Sequence, residues 1–450
     1  MINFQLKKNR PLVYLLTSVF YILSSCSIQK QISKSAEQLV LKDSSLTTAH
    51  VGISIYEPAS NKYWFNYQGD HYFVPASNTK IPTCYAAMKY LGDSLVGILK
   101  AENDTAIFFL PAGDPTLLHT DFKNQPVITF LQNANKKLYT TDARWRSDPL
   151  GSGWSWNDYN ENYMSERSPM PVYGNLVKWV QDKSKANEPV VVYSVPEVNW
   201  EVNFSTAQAN NFSVKRNIGE NVYTLTEGKE KLREQSVPFV TNGIKTALEL
   251  LSDTIHKTIG LLQGSQNPFI NTTLYINAIK TQPTDSLLKI TMHRSDNFFA
   301  EQTLLMVSNE RLGVMNDNKI IDTLLKTDFK DLPQKPRWAD GSGLSRYNLF
   351  TPQDFVAIFN KMKNEFGMER IKTIFPTGND GTLSNYYKAE SGYMFAKTGT
   401  LSGVVALSGF LYTKKNKLLI FSVLVNNHNA SATAVRRAVE KFIEGIRNKY

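Results

Sequence analysis

Cysteine is almost missing from this chain: of 450 residues only Cys26 and Cys84 carry a thiol. If Cys26 closes a leader, as argued below, one thiol remains and no intrachain disulfide can form. An exported protein must then be held by a sizeable apolar core. Histidine is sparse too, and the six present are scattered without the spacing of a metal-ligand set, so no metal or other cofactor is expected. No glycine-rich phosphate cradle of the Walker or dinucleotide kind occurs, which argues against the common nucleotide-dependent classes. There is no internal repeat and no low-complexity tract. Nor is there an apolar run long enough for a stable transmembrane anchor. The net charge of +10 is not gathered into a basic run interleaved with aromatics. It suits a polyanionic wall or membrane surface, not nucleic acid.

What is there begins at the N-terminus. Met1 to Arg10 is polar and basic, Pro11 to Leu23 is mostly apolar, and the stretch ends Leu23-Ser24-Ser25-Cys26. That is the layout of a secretory leader. Its end resembles the lipobox of bacterial lipoproteins, in which an apolar residue and two small ones precede the Cys that is acylated. The expectation is a lipoprotein signal peptide over 1–25, a lipid-bearing Cys26, a short polar tether over 26–35, and a place in the bacterial envelope on the periplasmic face of a membrane.

Further along, Val51 to Tyr56 and Tyr63 to Tyr67 read as short strands around the turn Pro58-Ala59-Ser60-Asn61. A helix should open near Ser77 with Ile81, Cys84, Met88 and Leu91 on one face, which makes Cys84 a packing residue. From about 104 to 285, short β-rich runs (Ala106 to Leu110, Val190 to Tyr193, Tyr223 to Leu225) alternate with Gly, Pro and Asn clusters. A helix around Phe298 to Met306 follows, then strands at Phe395 to Thr398, Val404 to Tyr412 and Lys417 to Val425. The chain closes on an amphipathic helix with Val435, Val439, Phe442 and Ile446 inward. These elements predict an α+β fold. Residues 36–103 and 286–450 would build an antiparallel sheet with helices, interrupted over 104–285 by a β-rich insertion of one or two small domains.

Three short motifs carry chemistry: Ser77-Asn78-Thr79-Lys80, Ser295-Asp296-Asn297 and Lys397-Thr398-Gly399. Ser three residues before Lys at a helix start puts both side chains on one face, where a desolvated amine can take the hydroxyl proton. The helix N-terminus adds free N–H groups for a developing oxyanion. Ser295 and Asn297, two apart in an extended segment or turn, would point to one side to relay a proton and hold an amide. Lys397 and Thr398 on a strand edge offer a cation and a hydroxyl to a carboxylate, and Gly399 lets substrate backbone approach. The Ser-x-x-Lys spacing alone means little, since Ser27 to Lys30 and Ser286 to Lys289 share it. Order and context give it weight, and the full set is that of penicillin-binding proteins and class A β-lactamases.

The flanks narrow this. Val74-Pro75-Ala76-Ser77, Gly113-Asp114-Pro115-Thr116-Leu117, Asn297-Phe298-Phe299-Ala300-Glu301, Asp340-Gly341-Ser342-Gly343-Leu344-Ser345, Asp380-Gly381-Thr382-Leu383 and Lys397-Thr398-Gly399-Thr400-Leu401 together resemble one family. It is the type-4 low-molecular-mass penicillin-binding proteins, D-Ala-D-Ala carboxypeptidases with endopeptidase activity. The resemblance runs from about residue 45 to 450. It implies a transpeptidase-like domain, related to β-lactamases, split after the Ser-x-x-Lys helix. It also implies Ser77 as acylated nucleophile, Lys80 as its base, and Ser295 and Asn297 as proton shuttle and substrate holder. Lys397, Thr398, Gly399 and Thr400 would bind the substrate carboxylate, with Ser77 and Thr400 N–H groups as oxyanion hole. In Gly153-Trp154-Ser155-Trp156-Asn157-Asp158 it implies Asp158 as a ligand for the diamino acid of the stem peptide. Peptidoglycan peptides and β-lactam inhibitors are the partners it implies.

Two rival readings have sequence tests. A β-lactamase-like esterase of class A type needs a Glu-x-Glu-Leu-Asn base segment. The nearest here, Val195-Pro196-Glu197-Val198-Asn199, has Val at the base position and precedes Ser295 instead of following it. A non-catalytic wall-peptide-binding lipoprotein would be expected to have lost the nucleophile, the base or Lys397-Thr398-Gly399, and all are intact.

Overall fold

A computed structural model of the chain describes residues 28–184, 190–207, 209–263, 269 and 276–450. The leader and Cys26 lie outside the described residues. The first element, α1 (residues 28–36), runs into a wider π-type turn over Glu37–Leu41. Ile32, Ala36 and Val40 recur every fourth residue and are buried, forming one apolar stripe. Residues 28–35 are therefore not a free tether. Their few apolar side chains, outnumbered by Gln, Lys and Ser, fall on one helix face and bind it to the body.

Strands β1 (His50–Glu57) and β2 (Lys62–Tyr67) follow as a hairpin. A 3₁₀ turn, Ala76–Thr79, then leads into α2 (Lys80–Tyr90). Every α2 residue from Lys80 to Met88 is buried, so the helix is covered all round and not on one face as predicted. Pro82 is its third residue, where an amide has no intrahelical partner to lose, and α2 continues past it to Tyr90. Cys84 is buried, and burial pushes its thiol well up from its ordinary value.

The next part of the chain builds separate sheets. Strand β3 (Ser94–Glu102) pairs with β4 (Ala106–Pro111) and, antiparallel, with β13 (Asn277–Pro283). The sheet that the sequence placed after residue 103 thus begins at Ser94. Its weak alternation directly after a buried helix hid it. β5 (Lys137–Thr140) and β12 (Ile259–Leu261) complete five strands in the order β12-β5-β4-β3-β13. Helices α3 (Pro126–Asn133) and α4 (Lys245–Ile255) cover it through Leu131, Leu251 and Ile255. Two three-stranded sheets lie between. One orders β8 (Glu201–Phe204), β10 (Val222–Thr226) and β9 (Ser213–Arg216). The other orders β11 (Leu232–Pro238), β6 (Leu176–Asp182) and β7 (Val191–Val195).

The chain then returns to its first sheet. Helices α5 (Thr284–Arg294), α6 (Asn297–Leu312), α7 (Asp317–Lys326) and α8 (Pro352–Ile374) precede β14 (Met394–Leu401), β15 (Val404–Tyr412) and β16 (Leu418–Asn426). β16 pairs with β1 from His50↔Asn426 to Tyr56↔Ile420, closing the antiparallel order β14-β15-β16-β1-β2. The central strands are apolar on both sides. Ala406, Phe410, Ile420 and Leu424 face a core with α2 and α8, while Val405, Leu407, Leu419 and Val423 face α9 (Ala432–Lys449) and α1. Each such aliphatic or aromatic side chain contributes roughly 1.5–3 kcal/mol by leaving water. Ser431 caps α9, its hydroxyl accepting from Ala434 N–H, and Val435, Val439, Phe442 and Ile446 point inward. The architecture is α+β, with helices on both faces of one antiparallel sheet and a mostly β insertion.

Candidate active site

The turn bearing Ser77 is held from three sides. Ala76 stands at φ 47°, a left-handed conformation that strains a residue with a Cβ. Two glycines make room for it. A Cβ on Gly343 would overlap the Ala76 carbonyl, and one on Gly399 would lie 2.7 Å from Pro75 O and 3.0 Å from Ser77 N. The space that Gly399 leaves is thus filled by the chain's own turn, not left open to substrate backbone. On the third side Asn78 Nδ2 donates to Ser408 Oγ at 2.7 Å, and that hydroxyl meets Ser422 Oγ at 2.8 Å. Ser77 is left partly open to solvent between buried neighbours.

Lys80 and Lys397 are both fully buried. Lys80 Nζ donates to Ser77 Oγ at 3.0 Å, Asn297 Oδ1 at 2.6 Å and Ser342 O at 2.8 Å. Lys397 Nζ donates to Ser295 Oγ at 2.8 Å and Thr398 O at 2.7 Å. Burial pulls Lys80 down to about 8, while the charges of Asp296, Asp340 and Glu301 hold it up. Lys397 lies well below the ordinary lysine value, first through burial and then through the Lys80 charge. With two acceptors, fewer than Lys80, and no neighbouring acid holding it up, it is the ammonium that gives way first. Burial, not a second cation, is therefore what lowers Lys80.

Ser295-Asp296-Asn297 is a tight link between two helices, not an extended segment. Ser295 ends α5 in the left-handed region at φ 60°. Asp296 caps α6, accepting from Phe299 N–H at 2.8 Å, and Asn297 opens that helix. The left-handed residue turns Ser295 toward Lys397 while Asn297 faces Lys80. Asn297 Nδ2 also donates to Tyr163 O at 3.1 Å. Asp158 ends a 3₁₀ turn, Trp156–Asp158, and bonds the Tyr163 phenol, which burial and that carboxylate push up to about 12. It stands one residue removed from the lysine–serine cluster and does not join it.

Thr398 and Thr400 lie on β14. The Thr398 hydroxyl donates to Thr382 Oγ1 at 2.7 Å, and Arg436 Nη2 of α9 donates to Thr400 Oγ1 at 2.6 Å. Thr398, Thr382 and Arg436 border a small cleft with Tyr386 and Leu407 beside them. Sequence reasoning gave Thr382 and Arg436 no role. Thr382 lay within a quoted segment, but Arg436 had no signal beyond its place in an amphipathic helix.

A buried charge cluster was also missed. Glu301 accepts from Ser342 N–H at 2.8 Å, and Ser342 O receives Lys80. Arg167 sits 3.3 Å from Glu301 and 2.7 Å from Asp317, and donates to Asp148 O and Leu150 O. Its guanidinium is shared: Asp317, the closer partner, is held below its ordinary value, whereas burial and Asp340 push Glu301 up to about 7. The link from Arg167 of the insertion to Lys80 thus passes through Glu301 and Ser342. Its partners lie 134 and 150 residues away in sequence, beyond the reach of local patterns. Among the described residues no group of three His, Cys, Asp or Glu is placed to hold a metal ion.

A hydroxyl beside one buried amine, and a second hydroxyl beside another, on an antiparallel sheet edge, define a serine acyl-transfer centre without metal-ligand geometry. The profile of the D-Ala-D-Ala carboxypeptidase 3 (S13) family matches residues 33–446. The chain belongs to that family and is a serine-type D-Ala-D-Ala carboxypeptidase hydrolase. Among its relatives, a D-alanyl-D-alanine carboxypeptidase of Actinomadura sp. (strain R39) is 25% identical over 89% of this chain and 82% of its own. The D-alanyl-D-alanine carboxypeptidase DacB of Haemophilus influenzae is 24% identical over 89% of this chain and 90% of its own. The solved structure of penicillin-binding protein 4 from Haemophilus influenzae matches with a TM-score of 0.71 at 21% identity, covering 93% of this chain and 99% of that one. That likeness speaks for the fold.

Proposed function

We propose that the chain cleaves the D-Ala-D-x bond of cell-wall stem peptides through an acyl-enzyme on Ser77, as both carboxypeptidase and endopeptidase. Neutral Lys80 takes the Ser77 proton as Oγ attacks the carbonyl carbon. The N–H groups of Ser77 and Thr400 stabilise the oxyanion, an interaction worth roughly 10²–10³-fold in rate per donor. Ser295, bonded to Lys397, relays to the departing amine the proton that Lys80 took from Ser77, and Asn297 holds the substrate amide. Thr398 and Thr400 bind the carboxylate, with Lys397 beneath them. Water then attacks the ester and frees Ser77. A β-lactam would acylate the same hydroxyl. The observation that carries this reading is the 3.0 Å bond from Lys80 Nζ to Ser77 Oγ inside a buried pocket.

Asp158 is proposed to meet the diamino acid of the stem peptide, supported by the exposed Trp156 and Tyr163 around it. The domain division proposed is a split catalytic unit, residues 36–103 and 286–450, around an insertion over 104–285, with the sheet edge at Ser94 as the structural limit. Cys26 is proposed to bear lipid and fix the protein on the periplasmic side of the envelope. The leader supports this, and among the described residues no helix is long and apolar enough to cross a membrane.

The test is digestion of purified murein with muropeptide analysis. The reading expects pentapeptides shortened by one D-Ala and cross-linked dimers opened to monomers, both blocked by benzylpenicillin. Intact muropeptides despite stoichiometric penicillin labelling would sink it.

A further inference from the structure

We propose that the end of the molecule where α1 begins docks on the anionic headgroups of a bilayer. This deepens the lipid-anchor reading and rests on it for orientation. Several segments converge at that end. Trp64 and Tyr450 meet with ring centroids 5.4 Å apart, and the Tyr450 hydroxyl donates to Gln31 Oε1 at 3.2 Å. Lys415 N–H donates to Tyr450 O at 2.8 Å and Lys414 N–H to Arg447 O at 3.0 Å. The turns at 58–61 and 413–416, the last turn of α9 and the first turn of α1 therefore share one edge.

That edge is rich in unpaired positive charge. Lys30, Lys62, Lys414, Lys415 and Lys449 are exposed, and none forms an ion pair among the described residues. The nearby acids are engaged: Glu57 pairs with Lys417 at 2.9 Å, and Glu390 is buried beside Arg447. Glu444 is pushed up to about 7, by burial first and then by Glu390 and Glu440. Like charges crowded on one edge repel unless an anionic partner meets them. Two half-open phenols stand among them, Tyr63 at 38% and Tyr393 at 50% exposure, the latter under the Arg447 guanidinium at 4.1 Å. Lysines that reach phosphates, with tyrosines at headgroup depth, suit a membrane interface.

Chain length selects a bilayer as the partner over a soluble polyanion. Ile32 and Ala36 bind α1 to the body, leaving two residues from Cys26 to Ile28. At roughly 3.5 Å per residue a lipid on Cys26 holds this edge within about 10 Å of the headgroups. That confinement raises the effective concentration of lysines at the surface.

The experiment is amide hydrogen exchange on the native, processed chain bound to phosphatidylcholine vesicles with or without phosphatidylglycerol. Exchange at 58–63 and 412–417 should slow on the phosphatidylglycerol vesicles alone, and the slowing should fade with added salt. Each lysine should favour the docked pose roughly fivefold, so Lys414→Gln with Lys415→Gln should shift it about 25-fold. Equal exchange on both vesicles, or slowing only with soluble anionic wall polymer, overturns the proposal. The mass of the N-terminal peptide separates the two readings. An unacylated Cys26 sinks the anchor, yet phosphatidylglycerol-dependent slowing would still report the lysine edge.

Discussion

Replacing Asp296 by Asn tests what sets the proton affinity of Lys80, the proposed base. Lys80 must be neutral to accept the Ser77 proton, so acylation should fall as pH drops through its value of about 8. Burial sets that value from below, and among the charges opposing it Asp296 is the largest. At an effective dielectric of about 20, two charges several ångströms apart interact by roughly 1–3 kcal/mol. Loss of about 1.4 kcal/mol alone is tenfold in proton affinity. The midpoint should therefore move from about 8 toward about 7. Acylation should run about tenfold faster near pH 6 and be unchanged near pH 9. Asn caps helices as well as Asp does, so the bond to Phe299 N–H and the start of α6 should survive. The assay is the second-order rate constant for a fluorescent penicillin, measured against pH for both proteins. A midpoint that stays in place or rises would refute the assignment of Lys80 as the titrating base.

Gly399→Val should place methyl groups against Pro75 O and Ser77 N, driving β14 from the turn that bears Ser77. Penicillin acylation should drop by at least about 10², read by the same labelling. Arg167→Met leaves Glu301 and Asp317 without their buried cation, which should cost about 3–5 kcal/mol in urea unfolding; adding Glu301→Gln should recover part of it. Thr400→Ala keeps the backbone N–H proposed for the oxyanion and should slow acylation less than Lys397→Ala, compared by rate constants on one substrate.

Much of this fold could be read from short-range pattern. β15 was bounded correctly because its apolar run stops at Tyr412, and the inward face of α9 was legible because Val435, Val439, Phe442 and Ile446 repeat at helical spacing. The misreadings came from tertiary context. Residues 28–35 look polar, and only a partner surface shows that Ile32 is a buried anchor. Only three residues separate the end of α2 from the start of β3, too close for texture to mark the change. At the site, the motifs placed Ser77 with Lys80 and Ser295 with Asn297, but the charges that set Lys80 come from residues far apart in sequence. Arg167, Glu301 and Asp340 meet only because the insertion folds back on α6 and the 340–345 loop. Gly399 was read for substrate, yet its space is used by the chain's own turn, a contact that spacing cannot show.

The most direct test of the account is to find which atom penicillin acylates. Wild-type protein and Lys80→Ala would be treated with benzylpenicillin, digested, and the modified peptide sequenced by mass spectrometry. The account predicts one acylated peptide with the adduct on Ser77 in the wild type, and loss of that adduct in Lys80→Ala over the same time. An adduct on Ser295 or Ser342, or wild-type labelling of the Lys80→Ala protein, would contradict it.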